Sequence, residues 1–404
     1  MSRVIPLVPA RPARSAGGTA PSGFRFTVPP PLALYIHFPW CVRKCPYCDF
    51  NSHTVRDGIP EDAYIAALIA DLEHSLPDIW GRLVHSIFFG GGTPSLMSPA
   101  ALDRLLTAVR ARVPLSPEAE ITLEANPGTV EADRFTGFRD AGVNRLSIGV
   151  QSFDDRHLSA LGRIHDAGDA QRAIELAQRT FERVNIDLMY ALPQQSMAEA
   201  MQDVTRALAT GVTHLSCYHL TLEPNTPFAA HPPDLPDDDA SADMQEAIEA
   251  RLADAGLVHY ETSAFAQPGR QCLHNLNYWQ FGDYLGIGAG AHGKLSFHDR
   301  VRRDMRHKHP NAYLEAAARG DFVQESREVG AAELPFEFMM NAARLNDGFA
   351  LDLFQRHTAL PLDMLMPRLL AAREDGLLEL EAGRVKPTLR GRRFLNELLQ
   401  RFLD

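Results

Sequence analysis

The chain has 404 residues, 45% of them hydrophobic, with 40 Lys and Arg against 51 Asp and Glu, a formal charge of −11. That length allows roughly two or three domains of about 150 residues and a core large enough to stand without disulfide staples. The acidic balance argues against a general nucleic-acid coat or an anionic membrane surface. No run of about eighteen apolar residues is free of a charge or breaker, so no transmembrane segment is expected.

Residues 1–31 read as a flexible N-terminal tail, broken by four prolines before residue 24. The five cysteines, Cys41, Cys45, Cys48, Cys217 and Cys272, are an odd number, with three packed into eight residues. A disulfide framework uses pairs, so a reducing, cytoplasmic setting is expected.

From Leu32 the chain alternates short β-rich apolar runs with helical periodicity. LALYIHF predicts a strand that ends at the cysteines, and 61–76 a helix; HSIFFGGG follows, then a helix over 99–112. The pattern continues through AEITLEAN, helix 131–141, RLSIGV, helix 168–181, VNIDLMY, helix 197–210, HLSCYHL and a helix near 240–256. Six such rounds imply a mainly parallel sheet covered by helices. The cysteines, Gly90 to Thr93, Glu124, Gln151, Asp187, Tyr218 and His219 all fall at strand ends. Convergence on one mouth favours a partial (β/α)6 barrel over an open doubly wound sheet.

The barrel core is assigned to 32–260, with 221–240 a proline-rich lid or linker. Residues 261–330 form an extension that includes the basic run DRVRRDMRHKHP and the helix NAYLEAAARG. Helices and a small hairpin over 331–404 suggest a C-terminal winged-helix-like α+β domain.

WCVRKCPYCDF spaces three thiolates as C-x3-C-x2-C. Soft thiolates select zinc, copper(I) or iron–sulfur. A structural zinc site wants four protein ligands, whereas three ligands on a cubane leave one iron open to a small molecule. Three ordinary thiols are the plain alternative. Gly90, Gly91, Gly92 and Thr93 follow an apolar strand, where missing side chains let backbone N–H and C=O groups approach a ligand; a strand-end turn is the other reading. Glu124 and Asp187 end apolar strands and are either ligand acceptors or solvated termini.

YIHFPWCVRKCPYC, FFGGGTPSL, ITLEANP, RLSIGVQSF, LGRIH and NIDLMYALP, in this order over about 35–300, resemble the radical S-adenosylmethionine (SAM) superfamily. Within it the chain resembles the oxygen-independent coproporphyrinogen III oxidase-like group, which also contains haem chaperones. The resemblance implies a [4Fe-4S] cluster on Cys41, Cys45 and Cys48, with the amino and carboxylate groups of SAM on the open iron. It implies that the glycines and Thr93 receive the methionyl amino end of SAM. Glu124 and Asp187 would accept from the ammonium or ribose, Gln151 and Arg163 would meet hydroxyls and carboxylate, and Tyr35 and Tyr47 would lie near the cofactor. It also implies reductive cleavage of SAM to a 5′-deoxyadenosyl radical.

The oxidase signature carries a further cysteine two residues after the third ligand; here that residue is Phe50, which has no thiol chemistry. The chaperone branch carries HNxxYW, here His274, Asn275, Tyr278 and Trp279. His274 offers an iron ligand and the two rings an apolar cover for a macrocycle, although a lone histidine also serves as a satisfied core residue. His292 is a weaker ligand candidate, and Cys272 is either a thiolate ligand or a buried small residue. Arg300, Arg302, Arg303, Arg306 and Lys308 would attract haem propionates or form a solvated face. The favoured expectation is a haem chaperone that passes haem to an acceptor protein, served by an electron donor, with a homodimer left open. The alternatives are coproporphyrinogen III oxidation and a cluster-dependent interaction or sensor protein.

Overall fold

A computed structural model describes residues 25–403, apart from 57, 130 and 131. Most of the expected tail, residues 1–24, lies outside the described residues. Its last part is not loose: Phe26 is buried among the C-terminal apolar residues and its N–H donates to His298 O at 2.9 Å.

The alternation in the sequence is realised as six parallel strands, Leu32–Phe38, Val84–Gly91, Leu115–Ala125, Arg145–Gln151, Arg183–Tyr190 and His214–His219, paired in that order. Helices Glu61–Ile79, Pro99–Arg110, Ala132–Ala141, Ala167–Thr180, Met197–Ala209 and Asp238–Asp254 follow them in turn. The first strand is buried at every residue but Tyr35, as a parallel strand covered on both faces must be. In the first helix Tyr64, Leu68 and Leu72 repeat at four-residue spacing and are all buried, giving the apolar stripe that seats it on the sheet. Ser98 caps the second helix by accepting from Ala101 N, and Asp166 with Asp169 and Ser196 with Glu199 form reciprocal capping boxes.

The six strands belong to a mixed sheet of 12. Beyond the sixth lie Ala264–Ala266 and Val258–His259, both antiparallel. Beyond the first lies Asp283–Ile287, which is parallel, then His292–Ser296, Val301–Arg306 and Val323–Val329, which are antiparallel. The architecture is therefore a partial barrel with an antiparallel flank. In the C-terminal part, helix Leu334–Ala342, strand Phe349–Ala350, helices Leu351–Thr358 and Met366–Glu374 and the hairpin Leu378–Glu381/Arg384–Pro387 run in winged-helix order.

Most of the basic run is the strand Val301–Arg306, and this corrects the reading of its arginines as a free site for propionates. Arg306 is 2% exposed and binds fully buried Asp71 at 2.9 Å. Arg303 and Arg327 share Glu337, Arg302 lies between Asp78 and Asp304, and Arg300 meets Asp299 and Glu328. Arg302, Arg303 and Arg306 are thus spent on tying the extension to the first helix and to helix Leu334–Ala342 and are not a free anion trap, whereas Arg300 pairs within the flank and Lys308 is exposed. Asp71 also accepts from Gly288 N at 3.1 Å and Tyr313 Oη at 2.9 Å. Removing one partner of a buried pair strands the other charge. Asp71→Ala is therefore expected to lower unfolding free energy by about 3–5 kcal/mol in urea titration, and a loss below about 1 kcal/mol would show the pair to be incidental.

Candidate functional site

The ends of all six parallel strands open on one pocket of about 420 Å³. It is lined by Cys41, Cys45, Cys48 and Tyr47 after the first strand, and by Gly91, Gly92 and Thr93 after the second. The later strands and the loop after the fourth add Glu124, Gln151, Arg163 and Asp187, with Tyr218 and His219 at the sixth. Asn126, Ser147, Met189, Phe50 and Glu223 complete much of the wall.

The cysteine loop is fixed by its surroundings. Asn51 Nδ2 donates to Ala289 O at 2.9 Å and Lys308 O at 2.8 Å, and Asn51 O meets His37 Nε2 at 2.9 Å. Each sulfur has a neighbouring donor: Thr93 Oγ1 to Cys41 at 3.5 Å, Arg163 Nη1 to Cys45 at 3.6 Å, and Ser52 Oγ beside Cys48 at 3.8 Å. All three thiols are free, and burial pushes those of Cys41 and Cys48 up. Three convergent soft sulfurs with polar support fit a cluster that leaves one coordination position open.

The N–H groups of the glycine turn are used within the fold. The N–H of Gly91 goes to Glu124 Oε2 at 3.2 Å, that of Gly92 to Phe38 O at 2.7 Å and that of Thr93 to Trp40 O at 2.8 Å. These donors are spent inside the fold and are not offered to a ligand. What the glycines supply is space: at Gly91, with φ +115°, a Cβ would lie 2.5 Å from the His37 ring, and at Gly92 2.5 Å from Trp40 O. Gly90 stands outside the pocket, wedged between Tyr35 and Phe88.

Gln151 has φ 71°, at a register shift in the pairing of the fourth and fifth strands. Such an irregularity re-aims a side chain at a strand end, here into the pocket. Asp187 accepts from Asn185 Nδ2 at 2.7 Å and Ser147 Oγ at 3.2 Å. Burial lifts its carboxyl to about 6 against those bonds. Burial, then the nearby Asp187 charge, lifts Glu124 to about 8, opposed by the Gly91 N–H. Both carboxyls hold protons more tightly than in water and become better acceptors once a cationic or hydroxyl ligand enters.

Tyr35 does not line the pocket; its hydroxyl meets His37 Nδ1 at 2.9 Å. His274 is also away from it, at the opposite end of the barrel. It is 8% exposed, its ring stacks on Phe88 at 4.9 Å between centroids, and Nδ1 meets Ser86 Oγ at 3.2 Å. Helix Leu273–Trp279 carries it into the floor, where Leu273 N donates to fully buried Glu120 at 2.7 Å. The neighbouring cavity is about 60 Å³, too small for a macrocycle, so the open iron ligand expected at His274 is corrected to an enclosed core histidine. Tyr278 packs on Tyr284 and Trp279, and Arg344 covers Trp279. Cys272 is buried with Sγ 3.4 Å from Glu120, and His292 is exposed outside the pocket.

The segment 221–240 packs over the cluster loop: Phe228 N donates to Pro46 O at 3.1 Å, the Phe228 ring lies 6.4 Å from that of Tyr47, and Leu235 packs with both on Leu161, Met189, Leu192 and Leu220. Ser52 and Asn51 were not singled out in the sequence because their role depends on partners distant in the chain. Asn126 stood inside the quoted ITLEANP run and was legible there.

A carboxyl raised on folding stabilises the fold at low pH and loses that contribution as pH climbs toward its folded value. His37, His165 and His357, all lowered to about 4 by burial, change their contribution below about pH 6.5. Between pH 6.5 and 8.5 Glu124 and Glu261, the latter lifted to about 7 by burial, therefore dominate. Ligand-free reduced protein should lose stability across that window, and Glu124→Gln should flatten the loss by roughly 1–2 kcal/mol in denaturant titrations. Parallel profiles for the two proteins would contradict the assignment.

The sequence pattern of the Radical SAM superfamily matches residues 35–207, and that of the HemN C-terminal domain residues 330–394. The chain is 50% identical over 379 residues to "Heme chaperone HemW" of Escherichia coli, covering 93% of this chain and 98% of that protein. It is 47% identical over 380 residues to the protein of the same name from Haemophilus influenzae, with the same two shares. Among solved structures, coproporphyrinogen III oxidase (HemN) from Escherichia coli superposes with a TM-score of 0.78 at 23% identity, over 93% of this chain and 90% of that one. That likeness shows the fold. With near-complete coverage at half identity, the chain belongs to the HemW family of radical SAM proteins.

Proposed function

We propose that this protein binds haem and hands it to an acceptor protein in the cytoplasm, with a [4Fe-4S] cluster and SAM as regulatory or mechanistic cofactors. The observation that carries this reading is the 50% identity, over 98% of its length, to a relative named a heme chaperone. Phe50 supports it: 61% exposed and lining the pocket, it puts a phenyl ring where the oxidase signature has a thiol. No helix among the described residues is long and apolar enough to cross a membrane.

In this reading Cys41, Cys45 and Cys48 hold the cluster. Glu124 accepts from the methionyl amino group, Asp187 and Gln151 meet ribose hydroxyls, and Gly91, Gly92 and Thr93 leave room for the cofactor. When bound and reduced, the cluster supplies the electron that cleaves SAM. The protein's own part is to orient the cofactor, hold a proton on Glu124 beside the charged Asp187 until a ligand displaces it, and wall off water with Tyr47 and the 221–240 segment. Residues 32–260 would serve as the SAM core, with 261–330 and 331–404 available for haem and partner recognition.

Anoxically reconstituted protein titrated with haem should give a saturable Soret change. No saturation would reject haem binding, and conversion of coproporphyrinogen III with consumption of SAM would establish the oxidase instead. His274→Ala should retain the wild-type Soret position because the ring is enclosed; an altered coordination spectrum would show that helix Leu273–Trp279 leaves the floor to expose it.

A further inference from the structure

Arg163 stands out among the pocket cations because it is enclosed and yet touches no carboxylate. It forms no ion pair among the described residues, its Nε is buried without a partner, and Nη2 is spent on Gly149 O at 2.7 Å. Nη1 faces Cys45 Sγ at 3.6 Å and Tyr47 Oη at 3.5 Å. The fork is therefore not free to grip a carboxylate with two parallel bonds, the use that Arg geometry favours. An enclosed guanidinium needs an anion, and the group it faces is a cysteine sulfur. Thr93 Oγ1 and Ser52 Oγ stand against the other two sulfurs at 3.5 and 3.8 Å. Each of the three sulfurs thus has one side-chain donor beside it, drawn from three separate stretches of chain.

Donors to cluster sulfur withdraw electron density and favour the more negative, reduced cluster, so they raise its reduction potential. We infer that Arg163, Thr93 and Ser52 are the positioning residues that set the potential of the cluster, with the charged Arg163 contributing most and acting on the Cys45 side. This rests on the reading that Cys41, Cys45 and Cys48 hold a four-iron cluster. It deepens that reading by naming what makes the cluster reducible.

The test is an anoxic EPR-monitored redox titration, without SAM, of the full-length reconstituted chain, with dithionite supplying the single electron taken up by the oxidised cluster. Arg163→Gln should lower the reduction equilibrium constant at least ~tenfold, a shift of 59 mV for one electron. Thr93→Val should shift in the same direction by less, Ser52→Ala by least, and Arg163→Lys should recover much of the wild-type potential. An unshifted or raised midpoint in Arg163→Gln at full iron and sulfide content overturns the inference, as does an unchanged midpoint with SAM binding abolished, which would return Arg163 to the SAM carboxylate. If Arg163→Gln holds no cluster, Thr93→Val decides by the same criterion. Failure of the underlying reading is separable: a wild-type chain that takes up no four-iron cluster, or Cys45→Ala that takes up a full one, removes the ligand assignment before any potential is measured.

Discussion

The strand Leu32–Phe38 is paired on both sides by parallel neighbours, Val84–Gly91 and Asp283–Ile287, and the rest of the molecule depends on that double pairing. A strand hydrogen-bonded along both edges cannot slip without breaking two ladders at once. The cysteine loop therefore leaves it at a fixed point and direction. The same pairing joins barrel to extension, so Asn51 can reach Ala289 and Lys308 across more than two hundred residues of chain. Asp71 and Arg306 lock the same junction from the helix side.

The pocket is electrostatically unfinished in a consistent sense. Glu124 and Asp187 are held where their charged forms are disfavoured, while the enclosed Arg163 touches no carboxylate and acts on Asp187 only at a distance. A site meant only to stabilise the fold would pair these groups with one another, as the extension pairs its arginines. Here the carboxyls stand at the third and fifth strands and the guanidinium beside a sulfur, so each is completed by something the chain does not itself provide.

The βα rounds were legible because each signal was local: strand runs stopped by glycines, helices opened by Ser98, Asp166 and Ser196. The convergence of cysteines, Glu124, Gln151 and Asp187 followed from their shared place at strand ends. The antiparallel flank was not legible. VRRDMR looks like a solvated basic run until Asp71, Asp78 and Glu337, distant in the chain, are placed beside it. His274 failed for a related reason: a motif shows which residues recur together, but Glu120 and Phe88 decide that the imidazole faces inward. At Gly91 the need for a glycine was legible, but the packed His37 ring that leaves no room for a side chain was not.

Helix Leu273–Trp279 closes the far end of the barrel, with its first N–H groups on Glu120. The site thus has the traffic of a cul-de-sac. Whatever settles deepest must arrive before anything that covers the rim near Phe50, and must leave after it. Residence of a large planar guest at the rim would then trap the smaller one beneath it, making order of loading a property of the barrel's shape.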